Sequence, residues 1–204
     1  MILKFNYASC VGNRFNNYYP YEATCSSPEE LQKYVKNDYV FYKFKDNKRS
    51  IKSFLETDYA AFDCDNDHSD DKEEWFTLSK MKEAFPGVSF VIITSRHHNK
   101  PKNGKSARPR FHVIYPIKKI TNVDDFDAFY KRVHRVFPYF DTNSMDAGRF
   151  YFGASDSSIY FVEGTRTLSD FIDEKLKEDE ELERFIEFDK SKAKKFSAIK
   201  EATR

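Results

Sequence analysis

No apolar run in the chain approaches the roughly 18 residues that a membrane-spanning helix needs, and no signal-peptide pattern is visible. Cysteine is scarce as well. Cys10, Cys25 and Cys64 are odd in number and share no metal-binding spacing, so neither a disulfide framework nor a structural zinc site is expected. Both observations lead to the expectation of a cytoplasmic protein with reduced thiols and no membrane partner. Net charge is missing too: 34 basic and 33 acidic side chains leave +1. Total charge therefore says nothing about nucleic acid, and clustering must decide. No internal repeat stands out. What the chain does have is ring systems, 21 Phe and 13 Tyr. These argue for a packed core despite a mean hydropathy of −0.75. At 204 residues the expectation is one domain, 1–176, followed by a charged helix or linker, 177–204.

The stretch that organises the rest is Asp58–Asp71, DYAAFDCDNDHSDD. It opens as a buried strand and ends in acid. Side chains alternate along a strand, so Asp63 and Asp65 project to one side, roughly 7 Å apart. Like charges this close are costly unless shared, and Mg²⁺ typically takes one or two carboxylates plus substrate phosphates. Three other readings compete. The first is a solvated acidic loop. The second is a calcium loop, since Asp63, Asp65, Asp67, Ser69, Asp71 and Glu74 fall at ligand positions; but the sixth position, which needs Gly, holds His68. The third is a phosphatase of the haloacid-dehalogenase type, although Asn66-Asp67 stands where such enzymes usually carry x-Thr or x-Val.

The remaining elements follow from period and punctuation. Met1–Tyr7 is a candidate first strand at an edge, and residues 8–25 read as irregular. Ser26-Ser27-Pro28-Glu29-Glu30 starts a helix. Tyr39–Phe44 is a strand, followed by a turn at 45–48. Lys43, Lys45, Lys48, Arg49 and Lys52 form a basic cluster, either a solvated loop or a phosphate- or template-contacting patch. A helix is expected from Asp70 to Phe85, with Trp75, Leu78, Met81 and Phe85 facing the core. Val88–Ser95 is a near-continuous apolar strand, so central. A basic loop, 96–109, leads to the strand Arg110–Ile117, and the two strands suggest an antiparallel pair. Asp124–Phe137 is an amphipathic helix. Short strands at 150–152 and 159–162 precede a helix from Thr167 to about Leu176. The order β-α-β-β-α-β suits an α+β domain with helices on one sheet face.

Four features can converge on one sheet. Asp63 and Asp65 end a strand. Ser95 ends the next and opens a loop bearing Arg96, His97, Lys105 and Arg108. Arg110 and His112 share a face of the return strand, and Asp141 follows Phe140. Three carboxylates, a His and a basic loop make a site for a nucleoside triphosphate with two metals, the ions stabilising attacking and leaving oxygens and the cations neutralising phosphate.

These residues carry a resemblance. FDCDND, the TS…RPRFHVIYP pair and FDTNSMDAGRFYFG resemble the three motifs of archaeo-eukaryotic primases, in the primase-polymerase type of phages and plasmids, over roughly residues 40–165. The resemblance implies an RRM-like palm and a template-directed nucleotidyltransferase (DNA primase or polymerase). It also implies two Mg²⁺ or Mn²⁺ ions on Asp63, Asp65 and Asp141, and His112 on the incoming phosphates. Ser95, Arg96, His97, Lys105, Arg108, Arg110 and Arg149 would serve nucleotide binding. Its implied partners are a single-stranded DNA template, dNTP or NTP, and a helicase module. The second motif departs from the family at Arg110, where Ser is usual. A literal Ser-x-His occurs at Ser95-Arg96-His97, so His112 and His97 both stand as candidates, with His112 preferred for its strand position. Asp146 competes with Asp141 and is expected to pair locally with Arg149.

Overall fold

Residues 1–184 are described by the computed structural model. Leu3–Tyr7 (β1) pairs antiparallel with Tyr21–Cys25 (β2) on one side and Tyr39–Val40 (β3) on the other. The opening strand is thus the middle of a three-stranded sheet, not an edge, and the stretch read as irregular ends in a strand. Alternation accounts for both. Leu3 and Phe5 are buried around exposed Lys4, and Ala23 and Cys25 around exposed Thr24. Only two buried positions mark β2, too few to show a period. Ser27 caps α1 (Pro28–Gln32), its hydroxyl accepting from the Glu30 N–H, with Pro28 at the first position as expected.

The expected strand 39–44 is divided between two sheets. β3 stays in the first, while Lys43–Phe44 (β4) pairs with Phe54–Cys64 (β5) in the second. The expected helix from Asp70 also starts later. Lys72–Glu74 forms only a 3₁₀ turn, Trp75 is extended, and Thr77 caps α2 (Leu78–Ala84) by accepting from the Lys80 N–H. The threonine offers the better cap, and Trp75 reaches the core from outside the helix. Phe90–Thr94 (β6) and Phe111–Ile120 (β7) form the expected antiparallel pair. Asn122 caps α3 (Val123–Val136), Ile159–Val162 forms β8, and a helix over 168–184 is α4. The expected strand at 150–152 reduces to a single bridge, Tyr151 to Tyr39.

The second sheet runs β4-β5-β7-β6-β8, and each named pair is antiparallel. From β5 to β8 the chain follows the expected β-α-β-β-α-β order, and the fold class is α+β. One sheet face carries the helices. Phe62 stacks on Phe140 and tilts against Tyr130 of α3, while Tyr115 meets Phe85 behind α2. α4 joins them through Phe171 against Phe85 and a Ser169 hydroxyl accepting from the Lys118 N–H. The opposite face is covered by the first sheet, where Phe41 packs on Tyr59 and Tyr39 on His112. The cover stops at Tyr39 and Tyr151, and there Asp63 and His112 meet an opening. Among the described residues no helix is long and apolar enough to cross a membrane.

Candidate active site

Register brings the chemistry together. Asp63 lies opposite His112, which lies opposite Ile93. The cross-strand pair therefore shares a face, and Asp65 continues that face beyond the strand end. The third carboxylate is brought in by backbone. The Asp141 N–H donates to the Asp63 carbonyl (2.9 Å), and the Ser144 hydroxyl accepts from the Asp63 N–H while donating to the Asp141 carbonyl. Asp141 in turn caps the short turn Thr142–Ser144 by accepting from the Asn143 N–H. The outcome is a cavity of about 190 Å³ lined by Asp63, Asp65 and Asp141. Ser95, Arg96, His97, Lys102, His112 and Arg149 complete its polar lining, over rings from Phe150, Tyr151 and Phe152.

The charges are partly paired. Asp63 Oδ2 receives the Arg149 guanidinium, and Asp65 Oδ2 lies 2.5 Å from Lys102 Nζ. Asp63 Oδ1 is buried without a hydrogen bond; His112 Nε2 stands 3.4 Å from it. Burial pushes the Asp63 carboxyl up to about 6 against the pull of Arg149, with Asp65 and Asp141 adding to the rise. Burial pushes His112 down to about 3, helped by the Arg149 charge, so its ring is neutral at neutral pH. Its Nδ1 is 2.8 Å from the Tyr39 hydroxyl. That hydroxyl is held well above its usual range by burial and by Asp63. It stays protonated and donates to Nδ1, which leaves the imidazole proton on Nε2, facing Asp63. Partial burial, then Arg96 and Lys102, lower His97. Arg96 lies over the Phe152 ring at 3.9 Å.

Eight of the anticipated residues therefore meet: Asp63, Asp65, Asp141, His112, His97, Ser95, Arg96 and Arg149. Lys105, Arg108 and Arg110 do not line the cavity. Arg108 is fully buried, donating to the Asn66 and Ser69 carbonyls and to Asp70. Arg110, also fully buried, donates to the Lys100 carbonyl and Asp67, and Lys105 pairs with Asp70. These three stitch the acidic loop 65–71 to the basic loop 96–109, and the carboxylates of Asp67 and Asp70, exposed to solvent, are paired with those cations. Asp146 accepts from the Gly148 N–H, and the Arg149 guanidinium goes to Asp63 rather than to Asp146 as anticipated.

Lys102 is the residue that sequence reasoning missed, and a signal for it exists. Asn103-Gly104 turns a two-residue hairpin with φ of 52° and 76°, closed by bonds between Lys102 and Lys105. That turn aims Lys102 at the cavity. Asp38 was missed too. It is fully buried and accepts from the Gly12, Asn13 and Gly153 N–H groups, tying the 10–13 loop and the 151–154 segment to the residue that precedes β3.

Among the described residues no group of three or more His, Cys, Asp and Glu side chains stands close enough to hold a metal ion as arranged. The donor chemistry nonetheless suits a hard divalent cation: three carboxylates line the cavity, one with a buried oxygen that no donor satisfies.

No family model matches the chain, and no curated protein matches it. Among solved structures it is similar to the AEP domain (PP-N190) of the cyanophage S-2L primase-polymerase. Identity is 13%, the TM-score is 0.44, and the match covers 80% of this chain and 81% of that one.

Proposed function

We propose that the protein is a template-directed nucleotidyltransferase, a primase-polymerase catalytic domain of the phage and plasmid type. One observation carries the reading: three carboxylates from two separate chain segments line a single cavity together with Arg96, His97, Lys102, His112 and Arg149. That combination of carboxylates and cations fits a substrate which is polyanionic and reaches the site with divalent metal. Asp63, Asp65 and Asp141 would hold two Mg²⁺ or Mn²⁺ ions, which when bound activate the attacking hydroxyl and neutralise charge on the leaving phosphates. The neutral His112 offers Nε2–H to a phosphate oxygen, held in that tautomer by Tyr39. Arg149 and Lys102 line the same cavity and can bond phosphate through charged donors. Ser95 fixes the loop start by accepting from the His97 N–H, and Arg96 over Phe152 supplies a cation backed by a ring. The substrates are a dNTP or NTP and a primer or initiating nucleotide whose 3′-hydroxyl attacks the α-phosphate, releasing pyrophosphate. A helicase module would be a partner through the segment after 177.

The phosphohydrolase alternative needs a parallel, doubly wound sheet, and the named strand pairs are antiparallel. The test is incorporation of labelled nucleotide on single-stranded DNA with Mg²⁺ or Mn²⁺. Asp63→Ala and Asp141→Ala are each expected to lower the rate by a hundredfold or more, about 3 kcal/mol of transition-state stabilisation. His112→Ala is expected to lose more than His97→Ala. Turnover that survives Asp63→Ala would sink the reading.

A further inference from the structure

From the cavity a surface runs outward along the 11–18 loop and the 45–52 turn, and it interleaves exposed rings with exposed cations. Phe15 is 85% exposed and Tyr18 49%, with Ile51 at 49% beside them. Arg14, Lys45, Lys48 and Lys52 are all exposed, and among the described residues none of the four forms an ion pair. By contrast, Lys43, on the strand just before, is engaged by Glu56. Across 11–18 and 45–52 the only acidic side chain is Asp46.

The two segments form one built surface. Tyr18 bridges to Lys48, the Tyr19 N–H donates to the Asn47 carbonyl, and the Arg49 N–H donates to the Asn17 carbonyl. Arg49 then links the surface to the cavity. Its guanidinium donates to the Asn16 and Gly148 carbonyls and lies 4.5 Å from the Phe150 ring, which lines the site. On the other flank, a side-chain carbon at Gly12 would sit 3.4 Å from Arg96 Nη1. The path from Phe15 to the cavity is therefore continuous.

We infer that this surface is the platform on which a single-stranded nucleic acid lies as it enters the site, with bases stacking on Phe15 and Tyr18 and phosphates on Arg14, Lys45, Lys48 and Lys52. The inference deepens the template-directed reading and rests on it. Interleaved rings and unpaired cations match a single strand, which offers a π-face and a negative charge at every residue. An apolar protein partner would leave those cations uncompensated.

The experiment is fluorescence anisotropy of a labelled oligothymidylate with the intact chain, without nucleotide or divalent ion. Phe15→Ala and Tyr18→Ala are each expected to weaken binding about tenfold. Lys48→Ala with Lys52→Ala should lower the salt slope by about 0.7 per lost phosphate contact. Lys80→Ala with Lys82→Ala, the same loss of two charges on α2 of the helix face, should leave both unchanged. All the patch positions are exposed, and unchanged thermal unfolding would verify the fold. Equal binding by wild type and the Phe15 and Tyr18 variants would overturn the inference and make the patch a protein-docking face, as would a wild type that binds no single strand. The two readings separate cleanly. Ring-dependent strand binding without nucleotide incorporation would sink the polymerase and keep the platform, whereas incorporation indifferent to the rings would do the reverse.

Discussion

At the scale of single residues, Asp63 and His112 share one face and titrate in opposite senses. His112 is depressed from 6.5 to about 3, so the stability it lends is complete above pH 6.5 and is lost as pH falls towards 3. Asp63 is raised from 3.8 to about 6, so its contribution is complete below 3.8 and is lost as pH rises through 6. Their sum predicts a fall in melting temperature from pH 7 to 6, a flat region between about 6 and 4, and a further fall below. His112→Gln should remove the first fall and leave stability rising on acidification to pH 4. Asp63→Asn should replace the flat region with a steady decline. Melting curves across that range check both, and identical profiles for all three proteins would contradict the buried pairing. The pair's residues were readable in the sequence because a buried strand ending in acid is unusual. The state of His112 was not, since it depends on Tyr39, seventy-three residues away.

Among the elements, the contact between the 151–154 segment and the turn before β3 is the most exacting part. Gly153 passes so close to the turn between α1 and β3 that a Cβ there would lie 2.4 Å from the Lys36 carbonyl oxygen. Gly153→Ala must push the 151–154 segment away, breaking the Tyr39–Tyr151 bridge, and is expected to cost about 2–4 kcal/mol in urea unfolding. Asp38→Asn should cost about 2–3 kcal/mol. It would turn an acceptor of the Asn13 N–H into a facing donor inside a buried site. Helices and strands with clear caps or long apolar stretches, such as α1, α3, β6 and β7, were legible within a few residues. β2 and the splitting of 39–44 were not, because short, half-polar strands take their pairing from distant partners. Arg108 and Arg110 misled for a related reason: a loop rich in cations reads as a phosphate cradle until its carboxylate neighbours are known.

Over the whole molecule, the helix face is closed by α4, whose Leu168, Phe171 and Ile172 are buried. Lys118 and Arg132 hold Asp173 from outside. We propose that the domain ends near 176, so a chain cut there should keep cooperative unfolding within a few degrees of the intact protein, whereas Phe171→Ala should cost about 3–5 kcal/mol. Calorimetry distinguishes the two. The stitching of the acidic loop to the basic loop has a consequence for how substrate is met. Arg108 and Arg110 lie inside, bonded to carbonyls and carboxylates of both segments, and Asn66 adds a bond to the Pro109 carbonyl. Fixing one backbone residue costs about 1–2 kcal/mol of entropy, and here that ordering belongs to folding. The rim is a preorganised wall rather than a lid, so a nucleotide would bind without an ordering penalty and without a slow closing step. Amide exchange at Asn99 and Arg110, whose N–H groups donate to the Arg108 carbonyl and to His98 Nδ1, should accordingly be protected in the free protein and change little when a triphosphate is added.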